Sequence, residues 1–190
     1  MEQQQSVRDN PLAFESTGRL IAKYSVPSVI AMLVSSLYNI VDQIFIGQGV
    51  GMLGNAATNV AFPFVNICIA LSLLIGIGGA SNFNLNMGRG ENEKAKSYAG
   101  TSISLLILSG LALSIFSLLF LKPILIAFGS TKQVFPYALT YTRITALGFP
   151  FLIATNGFCN LIRSDGSPRY SMVVMVTGAV INTCLDPLFI

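Results

Sequence analysis

The sequence predicts an all-α integral membrane protein, a polytopic helical bundle with five transmembrane helices, and three observations carry that prediction. Of the 190 residues, 53% are hydrophobic and 10% are charged, where a soluble domain carries about 25% charged residues. Mean hydropathy is +0.68. Apolar stretches of about 18 residues or more recur without the two-residue alternation of a membrane β-strand. Runs of that kind cross a bilayer as helices, which satisfy their backbone hydrogen bonds internally.

The first span is expected over about 20–46. The polar segment 1–18 before it lacks the short apolar core and small-residue cleavage site of a removable signal peptide, so this span should stay in the mature protein. Pro27 marks a kink and, second, a hinge. An outer connection over 48–57 follows and contains Gly49-x-Gly51-x-x-Gly54. No strand precedes that pattern and no acid follows at about 20 positions, so a dinucleotide site is rejected in favour of a tight external turn.

The second span, about 58–86, carries Pro63 and the small-residue run 76–81, a pattern of close helix packing. Charges of both signs over 89–96 open the third span, about 97–121, where Glu91 and Glu93 suit the helix's amino-terminal dipole. The fourth span, about 135–162, holds Arg143, Asn156 and Asn160; the fifth, about 170–190, holds Gly178, Asn182, Asp186 and Pro187. Cys68, Cys159 and Cys184 each fall in a span, with no CxxC spacing and no His anywhere in the chain. Metal and disulfide readings are therefore weak, and these cysteines read as small hydrophobes. With no Trp present, Tyr24, Tyr170 and Tyr137 must supply the interfacial aromatics.

Basic residues set the orientation. Arg8, Arg19, Lys23, Arg89, Lys94, Lys96, Arg163 and Arg169 fall on one side, and Lys122 and Lys132 on the other. The positive-inside rule then places the amino terminus in the cytoplasm, with the chain passing several times through the cell membrane. The lipid bilayer is the first partner. Nucleic acid is not expected despite a net charge of +3, because no aromatic stacking residues accompany the basic ones.

Two acids stand inside the apolar runs, Asp42 and Asp186. An ionised Asp at the centre of a membrane helix costs about 2.5 to 3.5 kcal/mol on the lenient scale, which marks a functional site by default. Ser35, Tyr38, Asn39 and Asp42 follow at helical intervals and form one hydrophilic stripe. Gly178, Asn182 and Asp186 repeat the device, and Pro187 limits helix regularity beside the acid. Both acids belong to the outer half of their spans. If spans one and five are neighbours, Asp42, Asp186, Asn39 and Asn182 form an oxygen-rich pocket for a hard cation such as sodium, or share a proton. The competing structural reading pairs one acid with Arg143. Asn156 and Asn160 are read either as glue between helices or as substrate contacts.

Four segments together resemble a known family: Tyr38-Asn39-Ile-Val-Asp42-Gln-Ile-Phe-Ile-Gly47, the run 76–81 leading into Met87-Gly88-Arg-Gly-Glu91, Asn160-Leu-Ile-Arg163-Ser-Asp165-Gly166, and Asn182-Thr-Cys-Leu-Asp186-Pro-Leu-Phe-Ile190. They are similar to the amino-terminal lobe of multidrug and toxic compound extrusion (MATE) transporters. The resemblance implies five transmembrane helices of a six-helix lobe, with 1–190 an incomplete lobe whose partner is a second lobe. It implies export of drugs or organic cations across the cytoplasmic membrane in exchange for Na+ or H+, with no enzymatic step and no cofactor. By the same resemblance Asp42, Asn182 and Asp186 are the cation-coupling residues, Na+ being one candidate ion there, and Tyr141 is an aromatic partner of the span-five acid. Tyr38, Asn156 and Asn160 are the substrate-cavity candidates and Pro27 the hinge. The chain departs from the family's pattern at Asn82, Asn84 and Asn86, a polar stretch where relatives are more apolar.

Two rival functions belong beside this one. A lipid-linked oligosaccharide flippase of the same superfamily would line its cavity with more basic residues than Arg143. An intramembrane aspartyl protease would share a proton between two Asp, but in Tyr-Asp and Gly-x-Gly-Asp contexts rather than Val-Asp42-Gln and Leu-Asp186-Pro.

Overall fold

A computed structural model describes residues 16–189, with side chains described as far as residue 185. These residues form six helices: α1 (Thr17–Gly49), α2 (Met52–Gly88), α3 (Asn92–Leu119), α4 (Leu121–Ala127), α5 (Phe135–Ser164) and α6 (Pro168–Phe189). Among the described residues, α1, α2, α3 and α5 are long and apolar enough to cross a bilayer. The fifth expected span does form a 22-residue helix, α6, but it is not among those four; its described part carries Arg169, Thr177, Asn182 and Thr183.

Two boundaries differ from the sequence expectation. The connection between the first two spans is Val50 and Gly51 alone, because α1 and α2 run on past the apolar core at that end. Gly51 adopts φ 81° there, and the amides of Val50 and Gly51 both donate to the Ile46 carbonyl, at 2.9 and 3.2 Å. That backbone suits glycine. Gly54 is not in the turn: it is buried in the first turn of α2, where an added Cβ would stand 2.7 Å from the Cβ of Val50. The second difference is α4, a short helix in the connection after span three, where the sequence reading places none. Pro123 has no N–H to give the Leu119 carbonyl, so α3 ends at Leu119, and the proline sits in the tolerant first turn of a new helix.

The core lies among α2, α3 and α5, capped by α4. Phe64 of α2 stacks on Phe149 of α5 at 6.1 Å between ring centroids and meets Phe128 edge-on at 5.4 Å. Leu106, Ile153, Cys68, Leu125 and Ala138 are fully buried around them. Glycines bring the helix backbones together. A Cβ on Gly76 would lie 3.0 Å from the backbone of Gly157, and one on Gly110 would lie 2.7 Å from the Cα of Pro150. Gly79 likewise abuts Ser102. The run 76–81 thus packs closely as expected, although Gly78 faces open space.

Helices α1 and α6 make a second unit. They pack along each other, while α1 meets α2 and α6 meets α5 more sparingly. In the 33 residues of α1, Pro27, Ala31 and Ile46 are the buried ones. Exposed apolar side chains line much of the rest, among them Met32, Leu33, Leu37 and Ile40. A membrane, not water, accommodates such a surface.

Candidate functional site

The relative direction of α1 and α6 decides whether the two acids can meet. Arg19 and Lys23 of α1 border the same cleft as Arg169 and Tyr170 of α6, so the two helices start at a common end and run in parallel. At 1.5 Å per residue, Asp42 lies about 28 Å beyond Lys23 and Asp186 about 24 Å beyond Tyr170. Both acids therefore occupy the same level of the paired helices, within about one turn. The side chain of Asp186 lies outside the described residues, as does any contact it makes.

Around Asp42 the stripe read from the sequence forms on α1. Ser35, Tyr38 and Asp42 are half-buried and Asn39 is exposed. The Asn39 amide donates to the Ser35 carbonyl one turn earlier, at 2.7 Å, which leaves its side-chain oxygen available as an acceptor. Tyr141 of α5 is half-buried and lies within electrostatic reach of Asp42. The bundle thus sets Tyr141 beside the acid of α1. On α6, Asn182 is exposed and Ala179, one turn before it, is buried. Among the described residues, no trio of His, Cys, Asp or Glu side chains is placed to hold a metal ion.

Arg143 does not partner Asp42. Its side chain is exposed, and among the described residues it makes no ion pair. One turn separates it from neither Tyr141 nor Thr142, but the buried face of α5 is the one carrying Thr142 and Ala146, and Arg143 is rotated off it. The structural reading that pairs one acid with Arg143 thus finds no Arg143–Asp42 ion pair among the described residues, and its Asp186 half lies outside the described side chains. Asn156 and Asn160 are half-buried on α5, and each amide donates to the carbonyl four residues back, at 2.9 and 3.0 Å. Asn160 also lies where a Cβ on Gly76 of α2 would come within 3.4 Å of its amide nitrogen. Pro27 is buried inside α1.

Some polar residues of this region were not singled out from the sequence. Thr58 of α2 donates to the Gln43 side chain of α1 at 3.3 Å and to the Asn55 carbonyl at 2.9 Å. A hollow of about 540 Å3 opens beside them, bordered by Asn39, Gln43, Gly47 and Asn55. The Asn55 side-chain oxygen is buried there without a partner among the described residues. Gln43 follows Asp42 directly, and Asn55 and Thr58 stand three apart on α2, so a helical-face reading of α2 could have found them.

The sequence and the fold match known proteins. A family model described as MatE covers residues 27–188. A probable multidrug resistance protein, YoeA of Bacillus subtilis, is 24% identical over 175 residues, which are 92% of this chain and 38% of that protein. An FAD transporter of Shewanella oneidensis is 27% identical over 173 residues, 91% of this chain and 38% of that protein. The solved outward-facing structure of a multidrug resistance MATE family transporter of the MOP superfamily has a TM-score of 0.80 at 28% identity, covering 89% of this chain and 37% of that one. The chain spans well under half the length of the relatives it matches.

Proposed function

This chain belongs to the MatE family, whose members are membrane transporters and not enzymes, and on that premise we propose that it forms the amino-terminal lobe of a cation-coupled antiporter exporting drugs or organic cations. The observation that carries the reading is the parallel pairing of α1 and α6 from a common end. It sets the levels of Asp42 and Asp186 side by side on helices that are sparsely tied to the core. Two acids at one depth make a site whose charge a single ion changes.

The lobe's basic ends support an orientation. Arg19, Lys23, Arg89, Lys94, Lys96, Arg163 and Arg169 stand where α1 starts, α2 meets α3 and α5 meets α6, whereas Lys122 and Lys132 stand at the opposite end. The first end faces the cytoplasm of the cell membrane. Na+ or a proton then reaches Asp42 and Asp186 from outside, with Asn39, Asn182 and Tyr141 supplying neutral oxygens around them. Neutralisation removes the cost of an ionised carboxylate at membrane depth and lets α1 repack about Pro27. The export step needs the second lobe, since alternating access rocks one half against the other. Coupling is a difference in ion affinity between two states, and about 1 to 3 kcal/mol suffices.

The test is efflux of a fluorescent organic cation from proteoliposomes containing the whole protein, driven in separate arms by a Na+ gradient and by a pH gradient. The expected outcome is gradient-driven efflux in one arm that Asp42→Asn and Asp186→Asn each abolish. Efflux that survives both substitutions would leave the acids structural and sink the proposal. The similarity to a protein named as an FAD transporter favours a second cargo, and vesicles loaded with FAD decide between the two.

A further inference from the structure

The common starting end of α1 and α6 holds a cleft of about 780 Å3 to which the coupling reading gives no part. Arg19 and Lys23, one turn apart on α1, border it from one side, and Gly166, Ser167, Arg169 and Tyr170 border it from the other. Two exposed arginines on two different helices, Arg19 and Arg169, thus converge on one opening, with Lys23 beside them. The amino-terminal turn of α6, a 22-residue helix, lines the same opening and adds the positive end of its dipole. Asp165 stands in the same turn but is not part of the lining.

The turn is built to hold this shape. Gly166 adopts φ 84°, which lets the Ser167 amide reach back to the Ile162 carbonyl at 3.2 Å. It also passes close to α1, since a Cβ on Gly166 would stand 3.8 Å from the Tyr24 hydroxyl. The neighbouring Arg163 is turned away toward α6, its Nε donating to the Ser171 hydroxyl at 3.2 Å. Arg19 and Arg169 remain exposed at the rim.

We infer that this cleft binds the phosphate of an anionic phospholipid headgroup. Like charges gathered at one opening call for an anion, and basic pockets between membrane helices near the bilayer surface suit lipid phosphates. The flanks favour a lipid over a free ion. One turn deeper, Val26 on α1 and Val173 and Val174 on α6 are exposed, which offers acyl chains an apolar path away from the basic rim. Tyr170, 63% exposed, stands at the boundary between the two, where amphipathic rings belong. The leaflet follows from the orientation proposed above, whereas the headgroup site rests on the cleft alone. Because the cleft joins α1 to α6 at their base, an occupied site tethers the pair whose upper part carries Asp42.

Native mass spectrometry of the whole protein, purified from mixed phosphatidylglycerol and phosphatidylethanolamine bilayers, tests this without any transport step. Phosphatidylglycerol should be retained in preference, and Arg19→Gln with Arg169→Gln should lower its retention on the order of 10-fold. Arg19→Lys with Arg169→Lys should keep it, as should Lys122→Gln with Lys132→Gln at the opposite end and Asp42→Asn. Equal retention of the two lipids, or loss in the charge-keeping variant as well, would overturn the inference. Displacement of the lipid by excess inorganic phosphate would do so too, by identifying a site for the free ion. Failure of dye efflux would not touch the result.

Discussion

The α2–α3–α5 core and the α1–α6 pair are built on opposite rules. In the core, glycines let backbones touch: Gly76 lies against Gly157 and Gly110 against Pro150. In the pair, Gly178 meets nothing within 4 Å, and α1 buries little beyond Pro27, Ala31 and Ile46. Without a hydrophobic drive between helices in lipid, close packing of small residues is what binds helices tightly. A unit that has it is rigid, and a unit that lacks it is free to shift against its neighbour. The acid of the stripe, Asp42, sits on the looser unit, beside Tyr141 of the tighter one. On the proposed function, an ion bound there would be read by the joint between the two.

The comparison is broken most severely at Gly110. Gly110→Val drives a branched side chain into the Pro150 backbone, 2.7 Å from where its Cβ must go, and should cost about 1 to 3 kcal/mol. Thermal unfolding in detergent, followed by the loss of the monodisperse size-exclusion peak, measures it. A variant as stable as the parent would mean the core tolerates separation and is no stiffer than the pair.

A smaller loss sharpens the point at the same joint. Pro150 has no N–H for the Ala146 carbonyl, and Ser114 of α3 donates to that carbonyl at 2.7 Å. Ser114→Ala should therefore strand a carbonyl in the core and cost about 1 to 2 kcal/mol in the same assay. Replacing Pro150 by Ala at the same time should return most of the loss, because the helix then completes its own bond.

The least effect belongs to the pair. Gly178→Ala fills open space on α6 and should change stability by no more than about 0.5 kcal/mol. A drop as large as that of Gly110→Val would show that α6 packs as tightly as the core, and the contrast between the units would fall.

Much of the fold was legible because it depends on properties local to one helix. Apolar length announced the spans, and the intervals among Ser35, Tyr38, Asn39 and Asp42 announced a polar face. Helix α4 was hidden because its seven residues, with Lys122 and Pro123 in the first turn, have too little apolar length to announce a helix. The facing of Arg143 was illegible for a related reason: its depth along α5 could be counted, but its rotation relative to α1 could not. Gln43 and Thr58 escaped notice because their bond joins two helices across a turn shorter than expected.

By itself, then, the sequence determined the solvent, the helical architecture, the basic ends and the two acids that lie at membrane depth. Each follows from transfer energy or from the 3.6-residue period, which one segment expresses alone. Only the tertiary structure decided that α1 runs parallel to α6, that Tyr141 stands beside Asp42, that Ser114 serves the carbonyl freed by Pro150 and that Arg19 and Arg169 share one cleft. Those relations depend on which helix faces meet and in what register, and complementary shape settles that only after the helices exist.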